Sequence, residues 1–195
     1  MRHLYLPVAV MLCVALSAQT TATNAFATEA KFSFDSDDAS VPKEAQHRRL
    51  SLSSAVAIIG APSGPMNYSW LAITFDSFPF TQQDIDAARK GNKAGLDRKA
   101  DEIAQPSGTY NTRTATLKLA VDAGRQVNAV NLSIPGYACT IATEEPDLKN
   151  FLQEFHLDGK TLRLKSKGSY VCNMKSQGLG TPKFGLDIDL TTPVL

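Results

Sequence analysis

Thr112-Arg-Thr-Ala-Thr-Leu117-Lys-Leu119-Ala-Val121-Asp-Ala-Gly124-Arg-Gln-Val127-Asn-Ala-Val-Asn-Leu-Ser-Ile134 is the stretch that decides the fold. Leu117, Leu119 and Val121 alternate with Thr116, Lys118 and Ala120, a period of two that fits a strand with one buried face. Ala123-Gly124-Arg125 turns the chain, and residues 127–134 return to strand composition, so the two segments read as a β-hairpin.

The same period extends in both directions. Leu50 and Leu52 alternate with serines ahead of Ala55-Val56-Ala57-Ile58-Ile59, Gly60-Ala-Pro-Ser-Gly-Pro65 breaks the chain, and residues 68–76 form the next strand. Segments 137–142, 161–165, 169–174 and 184–190 complete a set of about eight strands, with Lys167-Gly168 as a candidate two-residue turn. Helical signals interrupt in three places. Thr81 is an N-cap with Asp84 at the third position, Phe80 and Ile85 stand at the positions of a hydrophobic staple, and Gly91 ends the segment. Leu96, Ala100 and Ile103 share a face of a second helix, closed by Pro106-Ser107-Gly108. A third is expected from Pro146 onward, with Leu148, Phe151, Leu152 and Phe155 at i, i+3, i+4 and i+7. The fold class predicted is mainly β, an antiparallel β-sandwich or sheet of about eight strands with two or three short inserted helices.

Composition agrees with one globular domain: of 195 residues, 43% are hydrophobic and 20% charged. Lys plus Arg (20) against Asp plus Glu (19) leaves a formal charge of only +1. Recognition of nucleic acid or of an anionic membrane through bulk charge is therefore not expected. Met1-Arg2-His3, an apolar run from Leu4 to Leu16 and the small-x-small sequence Ala25-Phe26-Ala27 have the form of a secretory signal peptide, with cleavage after Ala27. The apolar run falls short of the roughly 20 residues of a spanning helix, and no membrane span is expected after cleavage. The division read from the sequence is a signal peptide over 1–27, a polar N-terminal arm or linker over 28–49, and a single β-rich domain over 50–195. The expected location is exported, periplasmic or extracellular.

Cleavage would remove Cys13 and leave an even pair, Cys139 and Cys172, which are expected to form a disulfide in an oxidising compartment. A search for catalytic chemistry finds no anchor. His47 and His156 lie in no motif, Gly60-Ala-Pro-Ser63-Gly64 displaces its serine from the GxSxG position, and no phosphate loop, HExxH or dinucleotide fingerprint occurs. Asp35-Ser36-Asp37-Asp38 lacks the glycine and distal glutamate of a calcium loop. No catalytic residue, metal or cofactor is assigned.

Two features suit binding. Strand alternation puts Leu71, Ile73 and Phe75 on one face and Tyr68, Trp70, Ala72, Thr74 and Asp76 on the other, so the only tryptophan lies on the more polar side. From Lys160 to Lys183 there are six basic residues and no acidic one, with Arg163 and Lys165 as candidate ligand contacts. The function expected is an exported, non-catalytic module that recognises a glycan, an envelope component or a protein partner through Tyr68, Trp70, Arg163 and Lys165. The alternative is a small exported carboxylate-dependent hydrolase, for which Asp187 and Asp189 are the visible pair.

Overall fold

A computed structural model describes residues 26–91, 114–142, 151–175 and 178–195. They form a mainly antiparallel β structure, a curled nine-stranded sheet with two short helices. The strands are β1 (Ala27–Asp35), β2 (His47–Ile59), β3 (Ser69–Asp76), β4 (Thr114–Val121), β5 (Val127–Ile134), β6 (Tyr137–Ala142), β7 (Leu152–Leu157), β8 (Thr161–Val171) and β9 (Lys183–Pro193). The helices are α1 (Lys43–Gln46) and α2 (Gln82–Arg89). The spatial order is β6-β5-β4-β3-β2-β1-β9-β8-β7. Two meanders, β2 to β6 and β7 to β9, thus meet at β1.

The sheet has an inner face because alternate residues of every strand are apolar. Phe32 and Phe34 of β1, Leu50 and Leu52 of β2, Leu71, Ile73 and Phe75 of β3, and Leu186, Ile188 and Leu190 of β9 are all buried in one cluster. Curling brings the middle of the sheet against its edge. The Phe34 ring stacks on Tyr137 of β6 at 4.4 Å between centroids and meets Phe184 of β9 edge-on at 5.1 Å. Cys139 of β6 is disulfide-bonded to Cys172, the residue after β8, with Cα atoms 6.0 Å apart. A covalent tie therefore joins two parts of the sheet that lie far apart in strand order.

A smaller cluster lies on the outer face, where α2 packs Ile85 and Ala88 with Phe80, Val56 and Phe26. The N-terminus of α2 follows the sequence closely. The Thr81 hydroxyl accepts the Asp84 N–H, and the Asp84 carboxylate accepts the Thr81 N–H, giving a complete capping box.

Several sequence expectations change. The segment beginning at residue 28, polar enough to suggest an arm, holds β1, paired with β2 on one side and β9 on the other. Its charged residues are Glu29, Lys31 and Asp35 on the outer face, and averaging over both faces hides Ala30, Phe32 and Phe34 on the inner one. The third helix does not extend through Phe155: residues Leu152–Leu157 are β7, paired with β8. Phe155 and Leu157 satisfy a period of two as well, and the β8 ladder selects it. The Lys167-Gly168 turn is absent. Strand β8 runs unbroken, with Lys167 opposite Asp187 and Gly168 opposite Leu186. A Cβ on Gly168 would meet only the Phe151 ring, at an ordinary contact distance of 3.9 Å, so the glycine continues the strand rather than making a turn. The expected second helix, around Leu96 to Ile103, lies outside the described residues, as do Pro146 and Leu148.

The disulfide closes a separation of 33 residues. Replacing both Cys139 and Cys172 with serine is expected to lower unfolding stability by about 3 to 4 kcal/mol, read from denaturant midpoints of the oxidised protein and the variant.

Candidate functional site

Cross-strand register places the outer face of β2, β1, β9 and β8 in rows. One row runs from Ser51 through Lys31 and Asp187 to Lys167, the next from Arg49 through Ser33 and Gly185 to Ser169, and a third from His47 through Asp35 and Lys183 to Val171. The middle row stands out because three neighbouring strands contribute only Ser, Gly and Ser. A Cβ on Gly185 would collide with the Ser33 hydroxyl, so the glycine lets that hydroxyl lie across β9. The small residues form the floor of an open trough of about 490 Å³. Lys31, Arg49, Lys167 and Lys183 edge it, together with Asp35 and Asp187.

Ion pairs fix most of this rim. Arg49 binds Asp35 at 2.9 Å and Lys167 binds Asp187 at 2.9 Å, while Lys31 is held by Glu29 at 2.9 Å. Among the described residues Lys183 has no carboxylate within ion-pair distance, so the trough carries an excess of positive charge. The Asp35 carboxyl is also 3.1 Å from His47 Nδ1. Partial burial pushes Asp35 toward the neutral acid, but hydrogen bonds from Arg49 and His47 outweigh it and hold the carboxyl below its usual range.

The four residues selected from sequence fall in two places. Arg163 and Lys165 share the outer face of β8 with Lys167, and each has a carboxylate partner, Glu154 at 2.6 Å and Asp189 at 3.2 Å. The partners come from β7 and β9, which explains why a local run without acidic residues is not a bare cationic patch. Trp70 lies on the outer face of β3 and is 41% exposed, and Tyr68 beside it is half-buried. Helix α2 packs over Val56 and leaves the indole outside its cluster. Strands β2, β1 and β9 separate Trp70 from Arg163 and Lys165. Sequence reasoning missed the trough because its residues come from β1, β2, β8 and β9. Phe32 and Phe34 alternate with Ser33 in the sequence, which fits a short strand docked onto the body, and the same alternation puts Lys31, Ser33 and Asp35 on one face.

The two carboxylates singled out in the sequence are each held by a lysine. Asp187 and Asp189 are bound to Lys167 and Lys165 and are about half exposed, unlike the desolvated carboxylic acid that protonates a leaving group. Asp35 and Asp187 lie two rows apart, a backbone separation of about 13 Å along the strands. Among the described residues no group of three His, Cys, Asp or Glu side chains is placed to hold a metal ion, and no helix is long and apolar enough to cross a membrane. Comparison with family models, curated proteins and solved structures gives no match.

Because the Asp35 carboxyl is held below its unfolded value near 3.8, its contribution to stability is present above that pH and is lost as pH falls through the lower folded value. Asp35→Asn is expected to lower the melting temperature at pH 6 and to flatten its fall between pH 4 and about pH 2, measured by thermal denaturation across that range.

Proposed function

We propose that this chain is an exported, non-catalytic binding module and that the outer-face trough takes an acidic glycan of the cell envelope. The observation that carries this reading is the Ser33, Gly185, Ser169 floor between rows bearing Lys31, Arg49, Lys167 and Lys183. Hydroxyl groups on the floor suit a ligand rich in hydroxyls, and the rim offers cationic nitrogens to a carboxylate or sulfate. The trough is open and shallow, which fits an extended polymer better than a small enclosed substrate. Lys165 and Arg163 continue the same face of β8 and contact a longer chain beyond the trough. Glycan binding is favoured over hydrolysis because the nearby carboxylates are occupied by cations.

The test is binding of a soluble polyuronic acid beside a neutral glucan. The polyuronate is expected to bind with an affinity that weakens as salt rises. Lys183→Glu should weaken it at least roughly tenfold, and Lys165→Ala should do so by a smaller factor, since its charge is shared with Asp189. Equal binding of the neutral glucan, or polyuronate binding unchanged in Lys183→Glu, contradicts the assignment.

Export has its own consequence at the N-terminus. The Phe26 ring is buried in the outer cluster and its carbonyl accepts the Ala55 N–H at 2.8 Å. Cleavage after Ala27 would remove both. Cleavage after Ala25, with Thr23 and Ala25 as the small residues ahead of the cut, keeps them. N-terminal sequencing of exported protein is expected to begin at Phe26 or upstream of it. A start at Thr28 would show that the buried ring is dispensable.

A further inference from the structure

The hairpin joining β2 and β3 is the one part of the described structure that exposes several large apolar side chains together. Sequence and structure give it three properties that coincide nowhere else among the described residues. From Leu50 to Phe75 the chain carries no charged residue. At the tip, residues 59–67 are all exposed, including Met66 at 68% and Ile59 at 37%. The apolar groups also lie on both sides: Ile59 continues the inward series of β2 opposite Leu71, whereas Tyr68 and Trp70 belong to the outward side of β3.

We propose that this tip is a lipid-interface anchor, with Met66 dipping below the headgroups of a bilayer and Tyr68 and Trp70 lying at headgroup level. A docked protein would cover one side of the hairpin and leave the other wet, but a bilayer surrounds both. Indole and phenol rings favour the interface because each has an apolar body and a polar edge. Three backbone N–H groups of the tip are paired within the hairpin. Gly60 N–H donates to the Trp70 carbonyl at 2.9 Å, Ser63 N–H to the Tyr68 carbonyl at 2.9 Å, and Asn67 N–H to the Gly64 carbonyl at 3.1 Å. Positive φ at Gly64 (72°) and Asn67 (53°) makes this tight closure possible.

The neighbouring turn limits the depth. Val121 pairs with Ser69, so Asp122, the next residue, stands near the level of Tyr68, and its carboxylate accepts the Gln126 N–H at 2.9 Å. An ionised carboxylate resists entry into hydrocarbon, which restricts insertion to the loop beyond Tyr68. Lys118, exposed and opposite Ala72, lies farther from the tip on the outward side, where its ammonium reaches anionic headgroups.

Trp70 is the sole tryptophan, so its fluorescence reports the contact directly. The purified exported chain is mixed with vesicles of phosphatidylethanolamine and phosphatidylglycerol. The expected result is a blue shift of emission with quenching by lipids brominated on the acyl chain. Met66→Asp should weaken partitioning at least roughly tenfold. Met66 is exposed, and an unchanged melting temperature confirms that this variant folds. Lys183→Glu should keep vesicle binding while losing the polyuronate, and Met66→Asp should do the reverse, so failure of this inference and failure of the trough reading are told apart. Four results overturn the anchor: no blue shift; vesicle binding equal in Met66→Asp; binding abolished by high salt in both proteins alike, which assigns it to surface cations; or a blue shift without lipid that grows with protein concentration, which assigns the tip to a second copy of the chain.

Discussion

The pairing of β1 with β9 is the constraint on which the rest of the structure depends. It joins the first described strand to the last, Glu29 opposite Asp189 through Asp35 opposite Lys183, and with the β1–β2 ladder it carries the sheet from the β2–β6 meander to the β7–β9 meander, beside a bridge from Ala57 to Val194. Contacts so distant in sequence are slow to form, because the loop entropy of the intervening chain is lost before the contacts stabilise anything. Local hairpins can precede this step, but the shared interior cannot. Phe34 on β1 touches Tyr137 from one meander and Phe184 from the other, so the aromatic centre of the core exists only once the ladder is in place.

The same ladder creates both faces of the central sheet. Inward, it completes the apolar cluster that the Cys139–Cys172 bond then ties across. Outward, it aligns side chains from β2, β1, β9 and β8 into rows, and in one row Gly185 lets the Ser33 hydroxyl lie across the neighbouring strand. Most charges in the flanking rows neutralise one another through exposed ion pairs that each contribute little to stability. Their greater effect is to set the local potential, in which Lys183 has no carboxylate partner among the described residues. The exposed hairpin tip contrasts with this face: it has no charge and is apolar on both sides.

How far the sequence could be read depended on whether the signal was local. The hairpin around Gly124 declares itself, as does the capping box at Thr81 and Asp84, because the deciding residues lie within a few positions of one another. The cysteine pair was legible by counting. Alternation put Trp70 on the more polar face of its strand, but the sequence did not decide whether the first helix or the Gly60 to Pro65 loop covers it. What resisted reading was non-local. Strand β1 looks polar because half of its residues face solvent, and its place at the centre of the sheet depends on pairing with β9, some 150 residues away. Gly168 resembles a turn residue until Leu186 is placed opposite it. Leu152 and Phe155 satisfy helical spacing with Phe151, yet β8 draws Leu152–Leu157 into an edge strand. The carboxylates that neutralise Arg163 and Lys165 likewise come from other strands, so a basic run in the sequence becomes a mixed ladder in the fold.

Hydrogen–deuterium exchange of the amides in residues 30–34 tests most directly the claim that β1 binds the two meanders into one body. If it does, those amides open only with the whole domain, and their protection should match that of the slowest amides of β4 and β9. Exchange of residues 30–34 at rates typical of a loosely docked arm, while β4 and β9 stay protected, would contradict the account.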